Sequence, residues 1–86
     1  MFFDVIKMEL RANYEIYVEF EDGLKGIINF RNKLMTDHRE IIRELMDKDK
    51  FEAVKIERDT LCWDNGVDFA PEYLYDLVNN RFNSNL

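Results

Sequence analysis

The chain has 86 residues, 47% apolar and 14% aromatic, with a formal charge of -6 at neutral pH. That length builds one domain around one core, and three Gly and one Pro are too few for a disordered or fibrous chain. The negative charge disfavours nucleic-acid backbones and anionic membranes and suits a basic partner, although it also simply keeps a small protein soluble.

Residues 2–10 predict a first strand. Ile6, Met8 and Leu10 share one parity and Phe3 and Val5 the other, so a place between other elements is expected. Arg11-Ala12-Asn13 reads as a turn, with Asn13 tolerant of positive φ. Residues 14–20 give the clearest strand: Tyr14, Ile16, Val18 and Phe20 point one way, Glu15, Tyr17 and Glu19 the other. Residues 24–30 are its partner. A two-residue loop would set Phe20 opposite Lys25. A three-residue loop, Glu21-Asp22-Gly23, sets Phe20 opposite Leu24 and Ile16 opposite Ile28, and only this register gathers the apolar set. Such a loop requires a left-handed Gly23.

Residues 31–37 read as a polar connection. Asp37 has the signature of an N-cap with Glu40 three positions on, and Ile41, Ile42, Leu45 and Met46 form the stripe of a helix of about three turns. Asp47-Lys48-Asp49-Lys50 reads as a solvated loop. Phe51, Val54 and Ile56 mark a fourth strand, Arg58-Asp59-Thr60 a turn, and Leu61-Cys62-Trp63 a fifth strand. Asn65-Gly66 marks a further turn, and Pro71 fits the first position of a last helix, buried through Leu74, Leu77 and Val78. The expected fold is α+β: a small, mostly antiparallel sheet of about five strands, in the order β-β-β-α-β-β-α, with two short helices packed on it. It forms a single domain over 1–86, ordered over about 2–78, and 79–86 lack periodicity and read as a frayed tail.

The residues argue against most chemistry. One histidine and one cysteine make neither a triad nor a structural zinc site: Cys62 stands in an apolar strand and His38 among charged residues. The Asp64–Asp68 segment lacks the ligand spacing of a calcium loop, and no phosphate-binding glycine motif is present, so no catalytic residue, metal or cofactor is expected. Asp4, Lys7 and Glu9 break any signal-peptide core, no apolar run nears the roughly 20 residues of a membrane span, and the lone Cys62 suits a reducing compartment. The expected location is cytoplasmic. Tyr17, between Glu15 and Glu19, is a candidate interface anchor, and Tyr73 and Tyr75 cannot both face the core alongside Leu74.

Three stretches carry a resemblance: Val18-Glu19-Phe20-Glu21-Asp22-Gly23, Phe51-Glu52-Ala53-Val54 and, most specifically, Trp63-Asp64-Asn65-Gly66-Val67-Asp68-Phe69-Ala70-Pro71-Glu72-Tyr73-Leu74-Tyr75. From about Phe3 to Leu77 the chain resembles Domain of Unknown Function 2442, a widespread bacterial family. The resemblance implies a meander-like sheet with helical cover. Family members are often encoded beside small toxin-like proteins, which implies an antitoxin-like role. Some relatives add a helix-turn-helix domain, for which this chain is too short, so DNA binding is not carried over. The family offers no catalytic residue to transfer.

Three functions are therefore weighed. The first is a non-catalytic module binding a small basic protein through Glu15, Tyr17 and Glu19 and the turn of Trp63, Asp64, Asn65 and Asp68. The second is a small-molecule or enzymatic site at that turn, favoured by a deep pocket beside Trp63 and opposed by a fully packed indole. The third is a homo-oligomer paired through a sheet edge or an aromatic face.

Overall fold

A computed structural model describes residues 3–79. The expected frayed tail lies, but for Asn79, outside the described residues. Among the described residues the α+β expectation holds, but the five antiparallel strands are divided between two sheets and do not form the single sheet expected. β1 (Val5–Leu10), β2 (Glu15–Phe20) and β3 (Lys25–Asn29) form the first, in that spatial order. β4 (Lys55–Glu57) and β5 (Thr60–Cys62) form the second.

The deduced hairpin register is present: Ile16 faces Ile28 and Val18 faces Gly26. Phe20 N–H donates to Leu24 O at 2.8 Å, Gly23 N–H to Phe20 O at 2.9 Å, and Gly23 has φ +97°. Asp22 Oδ1 accepts the Leu24 N–H at 2.9 Å. The same loop recurs at Asp64-Asn65-Gly66. There Trp63 N–H donates to Val67 O at 2.9 Å and Gly66 N–H to Trp63 O at 3.0 Å, Gly66 has φ +96°, and Asn65 Oδ1 accepts the Val67 N–H at 3.1 Å. In both, an Asp or Asn side chain closes an Asx-type turn and a glycine takes the left-handed position.

Two strand expectations are corrected. β1 is the edge of its sheet, not a strand buried on both faces. Its change of parity comes from a bulge between Val5 and Lys7 that turns Ile6 out to 59% exposure while Val5 enters the core. Tyr14 is not a strand residue. It follows Asn13 in left-handed backbone (φ 66° and 61°), its hydroxyl donates to Met46 O at 2.6 Å, and its ring meets Phe51 edge-on at 5.1 Å.

The connection to β4 is more helical than expected. Residues 31–37, expected as a loop, hold α1 (Arg31–Thr36), which opens with Arg31 N–H on Asn29 Oδ1 and buries only Leu34. The expected three-turn helix is one α-turn, α2 (Glu40–Arg43), followed by a 3-10 turn (Glu44–Met46). Asp37 does not cap α2, whose N-cap is Arg39. Instead the Asp37 carboxylate is buried, takes the Arg39 N–H at 2.8 Å, pairs with Arg39 Nε at 3.0 Å and holds Lys33 Nζ at 2.8 Å. The expected loop 47–50 and the start of the fourth strand become α3 (Lys48–Glu52), capped by Asp47 and buried through Phe51, so the strand begins only at Lys55.

α4 (Pro71–Asn79) starts at Pro71 as expected and buries Leu74 and Val78. It packs on β3 at Gly26, where an added Cβ would lie 2.9 Å from Val78 Cγ1. Tyr75 Oη donates to Asp22 Oδ2, which ties α4 to the hairpin loop. Beyond it, the core centres on aromatic rings: Trp63 sits between Phe30, Phe51 and Phe69, with centroids 5.7 to 6.0 Å away. Among the described residues no helix is long and apolar enough to cross a membrane.

Candidate functional site

The sequence-predicted site residues fall into two groups on separate sheets. Glu15, Tyr17 and Glu19 stand on central strand β2, opposite the core-facing Ile16, Val18 and Phe20. The register completes their face: Glu9 and Ile27 flank Tyr17, Lys7 and Lys25 flank Glu19, and Asn29 lies beside Glu15. Tyr17 Oη donates to Glu19 Oε2 at 2.6 Å, and this bond, then burial, raises the phenol's pKa above its ordinary value and keeps it neutral. The Arg11 guanidinium lies 5.6 Å from the Tyr17 ring centroid and 3.2 Å from Glu9 Oε1, and Lys7 Nζ is 4.0 Å from Glu19 Oε2.

Glu9, Glu15 and Glu19 thus share their face with Lys7, Arg11 and Lys25. The acidic surface expected from Glu15 and Glu19 alone is locally balanced. At its centre Tyr17 adjoins Ile27, which is 50% exposed. On β3 Ile27 shares its parity with Lys25 and Asn29, which hides it in the sequence; the hairpin register, carried one residue beyond Ile16 and Ile28, places it beside Tyr17.

The second group is mostly engaged in holding the fold. Trp63 is 3% exposed and its Nε1–H donates to Phe51 O at 2.8 Å, so the indole is packed core. Asp64 Oδ1 takes Lys55 Nζ at 3.0 Å. Asn65 Nδ2 donates to Ile41 O at 3.1 Å, pinning its turn to α2. Asp68 is exposed and forms an isolated bridge with Cys62. Beside this turn lies an open concavity of about 410 Å³, with Leu45, Ala53 and Trp63 as apolar walls and Asp49, Lys50, Asp64 and Asn65 at the rim.

Other reactive groups are dispersed. Cys62 is buried, and burial followed by the neighbouring Glu57 raises its thiol pKa, which leaves it inert. His38 is exposed beside Asp37 on a different element. Tyr73 stacks on Phe69 at 5.6 Å under Lys33 Nζ, 5.7 Å from its ring, and Tyr75 is half-buried against Phe20, so neither matches the setting of Tyr17. Among the described residues no group of three His, Cys, Asp or Glu is placed to hold a metal.

No curated protein and no solved structure matches the chain. A family model described as "Protein of unknown function (DUF2442)" matches residues 5–80, nearly the whole sequence. The chain therefore belongs to the DUF2442 family.

Proposed function

We propose that this chain is a non-catalytic protein-binding module that works through the outer face of the β1–β2–β3 sheet. The observation that carries the reading is the pairing of Tyr17 with half-exposed Ile27 at the centre of that face, inside a ring of matched charges. An aromatic anchor and an aliphatic neighbour within a polar rim have the composition of an interface core. The net charge of -6 draws a basic partner by long-range steering, and contact is then held by Tyr17 and Ile27. An antitoxin-like or regulatory role toward a small basic protein is the form this takes.

The test is capture from native lysate with the tagged wild-type chain and with Tyr17→Ala. One stoichiometric small protein is expected, retained by the wild type, bound less tightly as salt rises, and lost with Tyr17→Ala in a chain that circular dichroism shows to be folded, though less stable without the Glu19 bond and the ring. Capture indifferent to Tyr17 contradicts this expectation.

A second reading draws on the concavity beside Trp63, whose volume is in the range of small-molecule sites. Against it stands the chemistry of the rim. The indole N–H, the Asp64 carboxylate and the Asn65 amide all have partners within the chain. A ligand screen on the free protein, with Ala53→Trp filling the hollow, separates the two readings.

A further inference from the structure

We propose that two copies of this chain join edge to edge through β3 into one continuous antiparallel sheet. Phe20 N–H donates to Leu24 O and Phe30 N–H to Tyr14 O, so the even-numbered residues along β3 exchange hydrogen bonds with β2. The alternation of an antiparallel ladder then directs the N–H and C=O groups of Lys25, Ile27 and Asn29 away from β2. Among the described residues no strand lies on that side.

The two edges of the sheet are treated differently. β1 carries the bulge at Ile6, and its Val5 N–H is taken by Asp59 O at 2.9 Å. β3 has neither device: its register is unbroken and it contains no proline. A concavity of about 310 Å³ between β3 and the Leu77–Val78 end of α4 leaves room alongside.

The occupant this edge fits is a second copy of itself. A two-fold axis through Ile27 sets Ile27 opposite Ile27 and Lys25 opposite Asn29 of the second copy. All the outward groups then pair, giving about six main-chain hydrogen bonds. The charges agree with this register. Lys25 faces a neutral Asn29, and one strand further, at about 10 Å between Cα atoms, stands Glu15 of the second copy, within reach of a lysine side chain. Moving the axis to Lys25 would instead oppose two lysines. Joining the copies in this way fuses two Tyr17–Ile27 faces into one surface. The pairing itself uses the strand edge, so it stands apart from the face-binding function.

Light scattering on the full chain, from micromolar to near-millimolar concentration, tests this. The wild type is expected to rise from monomer mass towards twice that mass. Ile27→Lys, a change at a half-exposed position that opposes two ammonium groups on the axis, is expected to stay monomeric. Ile27→Cys, oxidised at the associating concentration, is expected to give a cross-linked dimer, because Cα atoms of such a pair lie about 5.5 Å apart. Asn29→Cys faces Lys25 and should not cross-link, and buried Cys62 does not interfere. A wild type that is monomeric throughout, or equal cross-linking from positions 27 and 29, overturns the proposal. Loss of capture by Tyr17→Ala is read separately, so dimerisation and face binding can fail independently.

Discussion

Gly23→Ala isolates the cost of a single backbone angle. Gly23 has φ +97°, and a Cβ built there meets no heavy atom within 4 Å, so the substitution creates no clash. What remains is the left-handed conformation, which costs a residue with a Cβ about 1–2 kcal/mol. Alanine also restricts the unfolded chain, which returns roughly 0.4–1 kcal/mol. The net loss is about 1 kcal/mol, a fall in Tm of roughly 4–8 °C for a domain of this size. Gly66, at φ +96° in equally open space, should behave alike, and the two losses should add because the loops belong to separate sheets. Asparagine tolerates this region, so Gly23→Asn should lose less than Gly23→Ala, and valine more. Thermal unfolding followed by circular dichroism measures all of these. A Gly23→Ala protein melting with the wild type, or an asparagine no better than alanine, would show that the left-handed angle at this position carries no such cost.

Gly26 gives the opposite case, with ordinary φ but no space. Gly26→Ala should destabilise through the 2.9 Å approach to Val78 Cγ1, and Val78→Ala should reduce that cost in a double-mutant cycle where it cannot reduce the cost of Gly23→Ala. Trp63→Ala should lose about 3–5 kcal/mol in urea unfolding as a core truncation. Trp63→Phe should lose about 1–2 kcal/mol, because Phe51 O keeps the Val54 N–H at 3.2 Å after the indole bond is gone. Hydrogen bonds from the Arg39 and Lys33 side chains hold the Asp37 pKa well below the usual carboxylate range. A depressed carboxylate stabilises the fold above its unfolded pKa of about 3.9, and that contribution is lost as the pH falls below it. Tm measured against pH should therefore drop below about pH 4, less steeply in Asp37→Asn.

The first hairpin was legible because its two strands share one apolar parity, and only a three-residue loop ending in glycine brings both onto the same face. The same chemistry sits in Asp64-Asn65-Gly66, where the sequence alone shows only a turn. Two short helices were obscured for one reason: α1 and α3 bury a single residue each, Leu34 and Phe51, so no stripe of period 3.6 can appear, whereas the stripe that marked α2 extends into the 3-10 turn through Leu45. Asp47 before Lys48-Asp49-Lys50 was the available signal for α3, as a capping side chain rather than a periodicity. The bulge at Ile6 hid the facing of β1, and with it the cations that balance Glu15 and Glu19. Tyr17 was legible from simple alternation. Trp63 was not, because a tryptophan beside an acidic turn looks alike from sequence whether it lines a pocket or fills a core.

The function proposed for this chain depends on the Tyr17–Ile27 face binding a protein. The most direct measurement is a backbone and side-chain NMR shift map of the labelled chain titrated with the protein that it captures. Shifts are expected to concentrate at Glu15, Tyr17, Glu19 and Ile27, with the Asp64-Asn65-Gly66 turn unchanged. Shifts centred on that turn and on Ala53, with the β2–β3 face silent, would rule out that face as the binding surface.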